Sequence, residues 1–287
     1  MRHNRLKPRR IKIKRACRIY WKLHASKKPT ARNYRKQLDY IKDFFAERYI
    51  DTITYIDVQD YRQWRIKKVK ASTVNRDHVI ITNMFYLLKR WNDMGVIKPI
   101  TLPKYNPGSL VKKADERPFA RKRVLSAKEI GGLLAVGPLN VRRIVLMALN
   151  TALRRKDLVN LTQGHVNRAT GCLEGVQAKT GKPYQIPINS TVAMLIKTAS
   201  GDRILDFTNF RRDFETALKK AGLEGVQFRD LRRTAARMLL GQGNVDIATV
   251  SSYLGHASIA MTQFYVQPEN KDKRKASQFL GRITHTY

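Results

Sequence analysis

The chain has 287 residues and carries 57 Lys plus Arg against 22 Asp plus Glu, a formal net charge of +35. A compact protein gains only self-repulsion from that imbalance, so the expected partner is a polyanion. No apolar run approaches a membrane span, no lipid-anchoring signal is present, and the two cysteines, Cys17 and Cys172, supply neither a disulfide framework nor a zinc spacing.

Residues 1–15 hold eight basic residues and no acidic one. They read either as a disordered tail or as an arm that follows a DNA backbone. From Thr30, a candidate N-cap, Tyr34, Leu38, Ile41, Phe44 and Phe45 recur at helical spacing. A second helix is expected from near Asp57 through Tyr61 and Trp64, and a third from about Ser72 to Trp91. These periodic apolar residues read as the core of a small all-helical domain. Pro99, Pro103, Pro107, Gly108 and Pro118 then break regular structure among basic residues. The organisation that follows is a basic arm and helical DNA-binding domain over 1–105, an extended linker over 106–123, and a second domain over 124–287.

The second domain opens on Ser126-Ala127-Lys128-Glu129, a capping-box pattern. Helices are expected near 127–135, 140–152, 190–199, 208–221, 230–241 and 245–254. Leu173–Gln177 and Tyr184–Ile188 flank Ala178-Lys179-Thr180-Gly181-Lys182-Pro183 as in a β-hairpin, and Pro187 confines its strand to an edge. Residues 271–280 suit a further helix. The expected fold is mainly α with a small antiparallel sheet, α+β in its second domain. Charge is shared: residues 1–120 hold 30 basic and 10 acidic residues, and residues 121–287 hold 27 and 12. Both halves are therefore expected to touch phosphate, as in a two-domain clamp on duplex DNA.

Phosphodiester cleavage without a metal needs a nucleophile, a cationic clamp for the non-bridging oxygens, and a proton for the leaving oxygen. Arginine provides bidentate hydrogen bonds to phosphate, lysine or histidine a proton, and tyrosine a covalent intermediate. Four stretches offer these groups: Thr151-Ala152-Leu153-Arg154-Arg155-Lys156-Asp157-Leu158, the hairpin loop with Lys179, Arg229-Asp230-Leu231-Arg232-Arg233-Thr234, and Leu254-Gly255-His256 followed nine residues later by Tyr265. Taken singly, each has an ordinary reading: a surface arginine, a packed tyrosine, a helix C-cap at Gly255. Their order and spacing carry the argument.

In that order they resemble the tyrosine recombinases, or phage-type integrases. Thr151 to Leu158 matches the family's Thr-Gly-Leu-Arg box with its downstream acidic-Leu pair, with Ala152 in place of Gly. Lys179 to Lys182 matches its Lys-Thr-Gly-Lys hairpin, Arg229 to Arg232 its His-x-x-Arg box, and Leu254 to His256 with Tyr265 its last box and nucleophile. The resemblance implies that Arg154 and Arg232 clamp the scissile phosphate, Lys179 protonates the leaving 5′ oxygen, His256 assists, and Tyr265 attacks to leave a 3′-phosphotyrosyl link. Asp157 would orient Arg154. Arg229 stands where the family has histidine, and a guanidinium cannot act as a base near neutral pH, so its role there would be electrostatic. Arg155 and Arg233 adjoin the motif arginines and compete for assignment.

The resemblance further implies a homotetramer on two DNA duplexes, with accessory DNA-bending proteins as further partners, no cofactor and no metal. With no signal peptide, the expected place is the cytoplasm, on DNA. Integration or excision of a mobile element is the favoured role. The alternatives are an Xer-like dimer-resolving recombinase, a type IB topoisomerase-like enzyme, and a catalytically inactive DNA-binding protein.

Overall fold

The computed structural model describes residues 7–115, 123–241, 245–255 and 258–263. The chain divides into two compact units, Met1–Ala120 and Arg121–Tyr287.

The first unit holds α1 (Ile13–Leu23), α2 (Ala31–Phe45), α3 (Tyr55–Ile66) and α4 (Ala71–Asp93). Helix α1 was not expected, because its basic density hides its apolar stripe. Ile13, Ala16, Cys17 and Tyr20 recur three or four residues apart and are all buried. Ile11 is buried as well and its carbonyl accepts from the Ile50 N–H, while Arg9 pairs with Pro99 and Thr101 through its backbone. Residues 9–15 therefore belong to the packed unit, which corrects the arm-or-tail reading for that stretch; residues 1–6 lie outside the described residues. Ile13→Ala should cost about 2–5 kcal/mol in a denaturant titration, the range for an emptied Ile site. An unchanged midpoint would return Ile13 to a free arm.

Helix α3 starts two residues before Asp57 because Asp57 is the third helical residue and not the cap. Thr54 accepts from the Asp57 N–H at 3.3 Å and Asp57 accepts from the Thr54 N–H at 2.8 Å. Phe44, Phe45, Tyr61 and Trp64 form an aromatic cluster with ring centroids 5.0–5.8 Å apart. Next to it Asp77, fully buried, accepts from Arg65 at 2.8 Å, Gln37 at 3.0 Å and Tyr61 at 3.1 Å. A buried carboxylate is tolerated when it is matched in this way.

The stretch read as linker is, in its first part, a strap on α4. Asn106 donates to the Thr82 carbonyl, His78 Nε2 meets the Gly108 carbonyl at 2.7 Å, and Asn75 makes two 2.8 Å bonds with the Ala114 backbone. A Cβ at Gly108 would lie 2.4 Å from Thr82 Oγ1, so only glycine lets the strap lie this close. Residues 106–114 thus belong with the first unit. Proline and glycine broke the helix there, and polar side chains on α4 took up the freed backbone groups.

The second unit is mostly helical: α5 (Ala127–Val136), α6 (Leu139–Thr151), α7 (Arg155–Val159), then β1 (Val166–Asn167), β2 (Cys172–Val176) and β3 (Pro183–Pro187), then α8 (Ser190–Lys197), α9 (Phe210–Lys220), α10 (Phe228–Gly241), α11 (Ile247–Leu254) and α12 (Ile259–Gln263). The Ser126–Glu129 capping box is formed from both sides. The strands make one antiparallel sheet in the order β1-β2-β3, with Leu173 opposite Ile186, and Pro187 lies on the edge strand β3. The core gathers around α6, where Ile144, Val145 and Ala148 belong to one buried cluster with Leu173, Ile186, Phe210 and Leu231. The short α7, α12 and β1 escaped sequence reading because five residues or fewer show no period. The helix expected over 271–280 lies outside the described residues.

Candidate active site

Helix α6 ends at Thr151, whose hydroxyl donates to the Met147 carbonyl. The next residue, Ala152, sits in the left-handed region at φ 50°, ψ 18° and turns the chain back. Glycine would adopt this conformation without strain, and alanine costs about 1 kcal/mol or more there. Its methyl offsets part of that cost by packing with Ala235, Ala236, Val250 and Leu254. Leu153, before α7, and Leu158, within it, are buried, and Arg154 stands half-buried at the helix start.

Helix α10 is seated by Phe228, whose ring meets Phe207, Phe210 and Phe214 with centroids 5.4–6.5 Å apart. Asp230, fully buried, accepts from the Gln227 N–H at 2.8 Å and from Arg233 at 3.0 Å. Arg232 points elsewhere: its guanidinium donates to the Ala152 carbonyl at 2.7 Å and the Leu254 carbonyl at 2.6 Å. The neighbouring arginines are thus separated by partner. Arg155 is exposed, with its guanidinium 5.6 Å from the centroid of the Phe210 ring.

Arg154, Arg155, Arg229 and Arg232 line one concavity of about 410 Å³, floored in part by Leu153 and Phe228. Four arginine side chains border this hollow, and arginines gathered in this way suit an anion with several acceptor oxygens, such as a phosphodiester. Arg229 is exposed and makes no hydrogen bond or ion pair among the described residues. Lys179 does not line the hollow. It is exposed on the loop between β2 and β3, where the Gln177 carbonyl accepts from the Thr180 and Gly181 N–H groups and Gly181 takes φ 68°.

Two residues differ in part from expectation. Asp157 is buried, and its Oδ1 accepts from the Ala178 N–H at 2.8 Å, so it anchors the root of the Lys179 loop; Oδ2 has no partner among the described residues. The group bonded to Arg154 is Gln177, which the motif reading passed over. Gln177, the residue after β2, is 2% exposed, and a polar residue in phase with the strand's inward positions was the available signal. Gly255 ends α11 at φ 59°, a conformation that favours glycine, and a Cβ there would lie 1.8 Å from Gln177 Nε2 and displace that amide. His256 and Tyr265 lie outside the described residues. Among the described residues no cluster of histidine, cysteine or carboxylate side chains could hold a metal ion, and no helix is long and apolar enough to cross a membrane.

A family profile described as "Phage integrase family" matches residues 123–272, and another described as "Phage integrase, N-terminal domain" matches residues 10–102. The chain is 22% identical over 275 residues to the shufflon-specific DNA recombinase of Escherichia coli, covering 90% of this chain and 69% of that one. It is 25% identical over 256 residues to a putative integrase/recombinase of Haemophilus influenzae, covering 84% and 83%. Among solved structures, a lambda integrase dimer bound to a COC′ core site matches with a TM-score of 0.72 at 21% identity, over 92% of this chain and 79% of that one. The Tn1549 transposon integrase in complex with circular intermediate DNA matches with a TM-score of 0.70 at 14% identity, over 93% and 99%.

Proposed function

The chain belongs to the phage integrase family and is a tyrosine-type site-specific DNA recombinase; from that premise we propose how its residues share the reaction. The convergence of Arg154, Arg229 and Arg232 on one hollow is the observation that carries the proposal. The scissile phosphate sits in this hollow, with Arg154 and Arg232 on its non-bridging oxygens and Arg229 adding charge. The Tyr265 oxygen bonds to phosphorus as the bond to O5′ breaks. Tyr265 gives up its phenolic proton to solvent water, and O5′ takes one from Lys179, whose loop lets it approach bound DNA and which is reprotonated from solvent. His256 supports this proton traffic. The 3′-phosphotyrosyl link conserves the energy of the broken phosphodiester, so a 5′ hydroxyl from a second strand can reverse the step without ATP.

Strand exchange needs two duplexes, and we place four copies of the chain on them; the match to a lambda integrase tetramer bound to a Holliday junction, with a TM-score of 0.72 over 90% of this chain, supports that arrangement. Integration or excision of a mobile element is the role we favour. A nicked duplex that traps the covalent intermediate tests the proposal. A denaturant-resistant adduct followed by joining to a second duplex supports recombination. Relaxation of supercoils with no joining would point to a topoisomerase, and no adduct at all to a DNA-binding protein without activity.

Binding to nonspecific duplex should weaken steeply with salt, because each neutralised phosphate releases counterions. A log–log slope on the order of −5 to −9 corresponds to about 6–10 phosphate contacts. A nearly flat plot would contradict a protein whose two halves both hold the DNA backbone.

A further inference from the structure

We propose that Gln177 is a positioning residue that sets the Arg154 guanidinium and ties it to Arg232 and to the root of the Lys179 loop. The inference rests on the phosphate-binding role of Arg154 argued above. The Gln177 side chain is 2% exposed, and its polar atoms reach two segments distant in sequence as well as its own loop. Oε1 accepts from Arg154 Nη1 and from the Thr180 hydroxyl at 2.7 Å. Nε2 faces the Leu254 carbonyl at 3.4 Å, the same carbonyl that takes Arg232 at 2.6 Å. Arg232 also reaches the Ala152 carbonyl, two residues before Arg154. The bonds therefore close a ring: Arg154, Gln177, Leu254, Arg232, Ala152 and back along the chain to Arg154. The amide orientation follows from its partners, since a flipped group would set its N–H bonds against the guanidinium and its oxygen against a carbonyl.

Gln177 is a neutral group in a ring with two cations, and neutrality matters. A carboxylate in its place would pair with Arg154 and compete with phosphate for the same charge, whereas an amide oxygen orients the guanidinium and leaves its charge for the substrate. The side chain holds the Lys179 loop through the Thr180 hydroxyl, beside the two N–H bonds that the Gln177 backbone carbonyl accepts, and its Nε2 occupies the space that glycine at 255 leaves open. One buried side chain thus holds together the groups that stabilise the phosphate, the loop that bears the proton donor, and the turn before His256.

The test compares single-turnover cleavage of two nicked duplexes, one with an ordinary scissile phosphate and one with a neutral methylphosphonate at the same place. Loss of Arg154 control matters only where there is negative charge to stabilise. Gln177→Ala should cleave the ordinary duplex about 10- to 100-fold more slowly, the range seen when a supporting hydrogen-bond partner of a site residue is removed. On the methylphosphonate the loss should be clearly smaller, the remainder reporting the Lys179 loop that the same side chain holds. Gln177→Met keeps the volume, guards against collapse of the site, and should behave in the same way. Equal losses on both duplexes, or parent-like rates on the ordinary one, would overturn the proposal. Arg154→Ala is run alongside: if it shows no charge-dependent defect, the failure lies with the role of Arg154; if it does and the Gln177 variants do not, the failure lies with Gln177.

Discussion

Tyr265→Phe should bind DNA as the parent does and form no denaturant-resistant adduct, a loss of at least on the order of a thousandfold in cleavage. Phenylalanine keeps the ring and removes the oxygen proposed to attack. The chain has twelve tyrosines, and Tyr253, on α11 beside the motif glycine, is the nearest rival in sequence. Its setting argues against it. The Tyr253 hydroxyl donates to the Asn150 carbonyl at 2.7 Å, and burial pushes its pKa up to about 12. A nucleophile needs an accessible oxygen that loses its proton readily, and this one is engaged in the opposite task. An adduct that persists in Tyr265→Phe on a nicked trapping duplex would show that another tyrosine attacks.

Arg229→Ala should slow single-turnover cleavage on the order of a hundredfold, as when one donor to a developing oxyanion is removed. Arg229→Lys should retain part of the rate, because the charge survives although the fork is lost. The geometry sharpens the contrast with Arg232, one helical turn further along α10. Arg232 is bound to two backbone carbonyls and contributes to the fold as well as the site, whereas Arg229 is exposed on the rim of the same hollow. Arg229→Ala should therefore leave the thermal midpoint unchanged. A parent-like rate in Arg229→Ala would reduce that residue to a solvated arginine, and a loss of rate accompanied by a lowered midpoint would mark it as structural.

The sequence by itself determined what depends on near neighbours in the chain. The Ser126–Glu129 box, the hairpin with its edge proline, and the bounds of α6, α9 and α11 were legible to within two residues. Each is written by a period or a cap spanning only a few positions. The motif arginines were legible for the same reason, as residue types at set intervals. Only the tertiary structure decided which groups those arginines face. Arg233 turns to Asp230 while its neighbour turns to Ala152 and Leu254, carbonyls 80 and 22 residues away. Ile11 and Ile13 proved to be core within a stretch whose charge suggested an arm, and Asn75 and His78 proved to hold down a strap that composition marked as linker. Gln177 joined the site through contacts with residues 23 and 77 positions distant. Side-chain bonds across such distances leave no period in a sequence. They exist only once hydrophobic burial has brought the segments together and left buried polar groups in need of partners.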